Sequence, residues 1–224
     1  MTSDTDKRRR TVFIVDDHPL VREWLAHLIN RQPDLVVCGE SEDAPQAFSA
    51  MGACRPDVAV VDISLKGSSG LELIKSLKEA HPAVAVLVLS MHEESHYAGR
   101  ALRAGARGYV IKRETAQKVI EAIRRILQGN FYVSEALAGV LTAHLLDNKK
   151  GETRSPVEQL SDRELEVFDM LGRGLGTRHI AETLGISLKT VQAYCAHIKE
   201  KLNLSRGTDL LAEAIRWNDG KHPR

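Results

Sequence analysis

The stretch Val58-Ala59-Val60-Val61, closed by Asp62, constrains this chain more than any other. Four apolar residues in a row, three of them β-branched, suit a strand covered on both faces, as in a parallel sheet. The carboxylate that ends the run is costly to bury unless a cation or a reaction uses it. Open α/β sheets place their ligand sites at the carboxyl ends of strands. Three further runs share the pattern. Residues 11–15 end in Asp16-Asp17, residues 83–89 in Ser90, and residues 108–111 in Lys112. If the four strands are parallel neighbours, three carboxylates, a hydroxyl and an ammonium converge on one edge.

The first 130 residues also supply helices for such a sheet. Leu20, Val21, Trp24, Leu25, Leu28 and Ile29 recur at helical spacing. Residues 35–39 read as a short strand and residues 43–51 as a helix with Pro45 in its first turn. A loop at 66–70 precedes a helix at 71–80. Helices follow at 93–104, stopped by Gly105, and at 114–128, stopped by Gly129-Asn130. Five strands alternating with five helices predict an α/β fold, a doubly wound five-stranded parallel sheet of flavodoxin-like order 2-1-3-4-5. That order sets the first and third strands side by side, so Asp16, Asp17 and Asp62 meet.

A further helix is expected at 134–146, then a polar linker at 147–156 containing Gly151 and Pro156. No strand pattern follows. Ser161-Asp162-Arg163-Glu164 is a capping box opening a helix to 171. Helices at 177–184, 187–202 and 208–217 complete an all-α, four-helix domain with a helix-turn-helix. The expected organisation is a disordered lead-in at 1–10, an α/β domain at 11–130, a linker helix and flexible linker at 131–157, and the helical domain at 158–224.

Composition narrows the class. Lys and Arg number 31 against 30 Asp and Glu, so net charge names no partner. Cys38, Cys54 and Cys195 show no metal or disulfide spacing, which fits a reduced cytoplasmic protein. The longest apolar run, residues 83–89, is far too short to cross a membrane. The polar N-terminus lacks the apolar core of a signal peptide.

The converging groups suit phosphoryl chemistry. An aspartate is a poor nucleophile towards an anionic phosphoryl donor unless a divalent cation bridges the two. Mg²⁺ accepts a few carboxylates together with water and substrate oxygens. Asp16, Asp17 and Asp62 can hold it, Lys112 can pair with Asp62 or with a phosphoryl oxygen, and Ser90 can donate to another. A haloacid-dehalogenase-type phosphatase would need a second acid two residues after the nucleophile, where Ser64 stands. A dinucleotide-binding enzyme would need a Gly-rich turn where Asp16-Asp17-His18 stands. A receiver-like adaptor that is never phosphorylated is disfavoured by the intact acids and Lys112.

With Asp16-Asp17, Asp62, Ser90 and Lys112 all present, residues 11–129 resemble the receiver domain of bacterial two-component response regulators. Residues 158–217 resemble a LuxR-type helix-turn-helix, through residues 160–167, Ile180-Ala181, Lys189-Thr190-Val191, Ile198 and Lys201-Leu202. Together they resemble the NarL/FixJ family. The resemblance implies that Asp62 accepts a phosphoryl group from a histidine kinase. It implies direct Mg²⁺ ligation by Asp17, Asp62 and the Ser64 carbonyl, with Asp16 acting through water. Tyr109 occupies the switch position, expected to turn inward as Ser90 closes on the phosphoryl group; the alternative is a half-buried edge residue. The function implied is transcription regulation rather than enzymatic turnover, with DNA, a histidine kinase, RNA polymerase and a second copy of the chain as partners.

The helical domain is not basic overall; from residue 155 onward it carries ten Lys/Arg and ten Asp/Glu. Asp162, Glu164, Glu166 and Asp169 lie in the first helix, while Lys189, Lys199 and Lys201 lie in the third, so charge is expected to segregate towards DNA. Lys189, Gln192, Ala193 and Ala196 share one helical face. Gln can pair with adenine and Ala can meet the thymine methyl, which predicts A·T pairs beneath Gln192. Lys189, Thr190, Lys201 and Arg178 are candidate phosphate contacts. The alternative is a solvated face, with specificity arising from DNA shape. His179, Tyr194, Gln192 and Ala196 depart from the usual LuxR-type residues, so no known target site carries over.

Overall fold

The computed structural model describes residues 8–91, 94–135, 137–139 and 156–219. The chain divides into two compact units, residues 1–143 and 144–224.

In the first unit, five parallel strands form the sheet: β1 (Arg10–Val15), β2 (Leu35–Ser41), β3 (Val58–Val61), β6 (Ala85–Ser90) and β7 (Gly108–Ile111). Their order is β2-β1-β3-β6-β7, the expected flavodoxin-like order. All four residues of β3 are buried, because side chains that alternate between faces meet helices on both. On one face Val12, Ile14, Val58, Val60, Leu87 and Leu89 pack against α1 (Pro19–Asn30) and α5 (Ala116–Leu127), through Leu25, Ile29, Val119, Ile123 and Ile126. The other face is covered by α2 (Ala44–Cys54), α3 (Gly70–Ala80) and α4 (Glu94–Ala104). Asp43 caps α2, accepting the Gln46 amide at 2.8 Å, with Pro45 in the first turn as expected.

Three details differ from expectation. Arg10 is a strand residue rather than lead-in, and its guanidinium meets Asp57 at 2.8 Å. The segment expected as a plain loop forms a small antiparallel pair, β4 (Ser64–Leu65) with β5 (Ser68–Ser69). Tyr132, assigned above to the linker, bridges Gly108, with Tyr109 N donating to Tyr132 O at 2.9 Å, so it covers an edge strand that would otherwise expose unpaired amides. Ser134 then accepts the Leu137 amide at 3.2 Å, opening a helical segment. The rest of the expected helix and most of the polar linker lie outside the described residues.

Among its described residues the second unit has only helices: α6 (Asp162–Gly172), α7 (Thr177–Leu184), α8 (Leu188–Lys201) and α9 (Gly207–Asp219), after a short 3-10 turn at Pro156–Gln159. The capping box closes on both sides, with Ser161 Oγ accepting the Glu164 amide and Glu164 Oε2 accepting the Ser161 amide. Gly185 ends α7 in the left-handed region at φ 63°, and Ser187 caps α8. Leu165, Phe168, Ile180, Leu184, Val191, Ile198, Leu210 and Ala214 form the core, with Phe168 and Trp217 rings 5.5 Å apart.

Candidate functional site

Backbone bonds that continue past the strand ends set the site. Asp62 N donates to Val15 O at 2.8 Å, Asp16 N to Ser41 O at 3.1 Å, and Lys112 N to Ser90 O at 2.7 Å. Each chemical residue is therefore the next rung of a ladder already fixed by a buried run. Lys112 Nζ reaches Asp16 Oδ2 and Asp62 Oδ2, both at 2.6 Å. Asp62 and Asp16 are 4% and 1% exposed, and Ser90 is fully buried. Burial pushes the Asp62 carboxyl above the usual carboxylate range; Lys112 pulls it back and the Asp16 charge adds to the rise. Burial alone would lower Lys112, but the Asp62 and Asp16 charges outweigh it and hold the ammonium above its ordinary value.

Asp16, Asp17, His18 and Asp62 each bring a ligand atom within 4.8 Å of the others. Asp17 Oδ1 is shielded from solvent and accepts no hydrogen bond; His18 Nδ1, 2.8 Å away, approaches it out of hydrogen-bonding alignment. A buried carboxylate oxygen with this deficit is what a divalent cation satisfies. One ammonium among three carboxylates leaves the cluster net anionic, so the donor set fits Mg²⁺.

Other expected residues fall as follows. The Ser64 amide donates to Asp62 Oδ1 at 3.2 Å. Tyr109 is buried, 1% exposed, rather than half-buried. Sequence reasoning missed three supports. His18 donates its amide to Asp16 Oδ1 at 2.9 Å. Arg22, one turn into α1, donates to Asp16 O at 2.6 Å. Gly70 opens α3 so close to the acceptor loop that a Cβ there would lie 2.0 Å from Asp62 O. Only the glycine itself, at the end of a Gly-Ser-Ser-Gly loop, signalled that approach.

In the helical unit, Lys189, Gln192, Ala193 and Ala196 are all exposed on α8, opposite the buried Val191 and Ile198. Arg178 is exposed at the second position of α7. Thr190 is half-buried and engaged in the cap, its Oγ1 2.7 Å from Ser187 Oγ. Lys201 differs from the expectation of a cation held ready for phosphate: its Nζ lies 2.6 Å from Glu164 Oε2 and ties α8 to the start of α6. The expected charge segregation is also altered, since Glu164, Glu166 and Asp169 are buried, with ion pairs from Lys201, Arg163 and Arg173.

A parallel-sheet domain carrying this acid–lysine–serine site, joined to a helix-turn-helix unit, defines the two-component response regulators. The family model described as response regulator receiver domain matches residues 12–124, and that described as bacterial regulatory proteins, luxR family, matches residues 158–214. The chain is 32% identical over 209 residues to the oxygen regulatory protein NreC of Staphylococcus carnosus, covering 92% of this chain and 96% of that one. The corresponding protein of Staphylococcus epidermidis is 33% identical over 210 residues, with the same coverage. A LuxR-family two-component response regulator from Aurantimonas sp. SI85-9A1 superposes with a TM-score of 0.57 at 33% identity, covering 62% of this chain and 99% of that one. RcsB from Salmonella enterica serovar Typhimurium, bound to promoter P1flhDC, shares the fold with a TM-score of 0.60 at 23% identity, covering 92% of this chain and 98% of that one. The chain belongs to the NarL/FixJ family of two-component response regulators.

Proposed function

We propose that Asp62 is phosphorylated by a histidine kinase and that this controls dimerisation and sequence-specific DNA binding. The observation that carries the reading is Lys112 Nζ bridging Asp62 and Asp16 beside the unsatisfied Asp17 Oδ1. An Asp62 oxygen attacks the phosphorus of a phosphohistidine. The P–N bond breaks, the imidazole leaves with the electron pair and takes up a proton, and an acyl phosphate remains. Asp17, Asp62 and Ser64, with Asp16 through water, would hold Mg²⁺, which neutralises the approach of two anions when bound. Lys112 then pairs with a phosphoryl oxygen and Ser90 donates to another. Tyr109, buried in the receiver, is the residue read as turning with that closure.

Two recognition helices about one DNA turn apart suit a two-fold operator, which is why phosphorylation is read as favouring a dimer. The exposed face of Lys189, Gln192, Ala193 and Ala196 would meet the bases, with Arg178, Thr190 and Lys201 near phosphates. The chain acts as a cytoplasmic transcription regulator that engages RNA polymerase, not as a metabolic enzyme. Among the described residues no helix is long and apolar enough to cross a membrane. A receiver-like adaptor, or a DNA-binding regulator that acts without phosphorylation, is the second reading, disfavoured by the intact site.

The test is incubation with Mg²⁺ and acetyl phosphate, or with the cognate kinase, followed by intact mass. A hydroxylamine-labile phosphoryl group is expected on the wild type, absent in Asp62→Asn and without Mg²⁺. Equal labelling of Asp62→Asn would refute the assignment.

A further inference from the structure

We propose that Cys38 and Cys54 are an oxidisable dithiol pair that a hydroperoxide closes into an intramolecular disulfide. Their Sγ atoms lie 3.8 Å apart although 16 positions separate them in the chain. Two backbone irregularities bring them together. Val12 pairs with Val37 and Phe13 with Gly39, so Cys38 is the extra residue of a bulge in β2. A bulge re-aims the side chain it carries. A Cβ on the next residue, Gly39, would sit 2.6 Å from the Phe13 ring, so glycine lets the bulged strand lie this close to β1. Cys54 is the last residue of α2, and Arg55 after it turns left-handed at φ 46° while its amide caps Met51 O. The helix therefore stops with Cys54 facing the bulge.

The two thiols have different surroundings. Cys54 is exposed and Cys38 half-buried, with its Sγ also 3.5 Å from Val12 O. Burial, and next the neighbouring Cys54, push the Cys38 thiol up to about 12. Cys54 is accordingly the sulfur that meets the oxidant. Its Sγ attacks the terminal oxygen of the hydroperoxide; an S–O bond forms, the O–O bond breaks, and an alcohol or water leaves with the thiol proton. Cys38 Sγ then attacks the Cys54 sulfenic sulfur; the S–S bond forms, the S–O bond breaks, and water departs with the Cys38 proton. The remaining approach, from 3.8 Å to a bond near 2.05 Å, falls largely to Cys54 at its exposed helix end. Intracellular disulfides are characteristically transient or redox-sensing, and a pair at this distance suits that use. The inference rests on the placement of these two thiols and stands whether or not Asp62 is phosphorylated.

The full-length protein, reduced and freed of reductant, is treated with tert-butyl hydroperoxide, its remaining thiols are alkylated, and it is mapped without reduction. We expect a mass lower by two hydrogens before alkylation, the Cys38 and Cys54 peptides joined, Cys195 alkylated, and the two thiols of Cys38 and Cys54 restored by dithiothreitol. Cys38→Ser should leave Cys54 as a sulfenic acid trapped by dimedone, and Cys54→Ser should leave Cys38 a free thiol. Three free thiols in treated wild type, a Cys54 link to Cys195 or to a second molecule, or a Cys54 adduct that forms with Cys38 left free would each overturn the proposal.

Discussion

Lys112 Nζ lies 2.6 Å from Asp62 Oδ2 while holding Asp16 Oδ2 at the same distance. One cation thus serves two buried anions. Removing it leaves those carboxylates facing each other without a counter-charge. Breaking a buried pair from one side costs about 3–5 kcal/mol. Lys112→Ala should therefore lose stability on that scale. Asp62→Asn should lose much less, because Lys112 keeps Asp16 and one repulsion disappears. Urea midpoints of the two variants decide it; a lower midpoint for Asp62→Asn would contradict the charge accounting.

Gly70 provides a steric test of the same loop. Its added Cβ would lie 2.0 Å from Asp62 O and 2.8 Å from Ile63 Cα, both backbone atoms that cannot swing away. Overpacking of this kind costs about 1–3 kcal/mol. Gly70→Ala should destabilise the receiver and slow phosphoryl uptake by shifting Asp62. Gly67 is the control. It has positive φ, 71°, but open space around it. Gly67→Ala should cost only about 1–2 kcal/mol of backbone strain and leave the labelling rate near wild type. Comparable rates for the two variants would show that the close approach does not position Asp62.

The strand order and the acid–lysine–serine edge were legible because buried parallel strands demand apolar, β-branched runs, and each run ends in its chemical residue. What escaped lacks such a pattern. The β4–β5 pair is made of Ser64-Leu65 and Ser68-Ser69, which alternate nothing readable. Cys38 and Cys54 meet through a bulge and a left-handed Arg55, neither of which announces itself in the residues concerned. Tyr132 pairs with the sheet as a single bridge. Lys201 read as a free cation because its partner, Glu164, lies 37 positions earlier.

Glu164 makes the helix-turn-helix unit sensitive to acid. Its burial opposes ionisation, but Lys201 and then the Ser161 amide hold its carboxyl below the ordinary glutamate value. A depressed native pKa means that the unfolded chain takes up protons first as pH falls. The stabilisation is complete above the unfolded value of ~4.3 and is lost as pH drops through the lower native one. Thermal unfolding of wild type should show this acid limb, and Glu164→Gln should flatten it. Lys201→Ala should cost about 1–3 kcal/mol at neutral pH by leaving a buried carboxylate without its cation. Identical pH profiles for wild type and Glu164→Gln would assign the acid limb to other groups.

The pairing of Lys201 also changes what its substitution reports about DNA. Lys189, Gln192, Ala193 and Ala196 form the exposed face of α8, while the Lys201 ammonium is already held by Glu164. A bidentate Gln–adenine pair is worth about 1–3 kcal/mol of discrimination. Gln192→Ala should lose that much on the preferred site and relax the preference at one A·T pair. Lys189→Ala should weaken all sequences alike and reduce the salt slope by about 0.9, the share of one phosphate. Lys201→Ala should change the slope by less, since reaching a phosphate means giving up Glu164, and should lower folding stability as well. Selection from random duplexes at fixed salt, then affinity against salt for each variant, separates the three. A wild-type motif dominated by G·C beneath α8 and unchanged in Gln192→Ala would move the source of specificity from this face to the shape of the DNA.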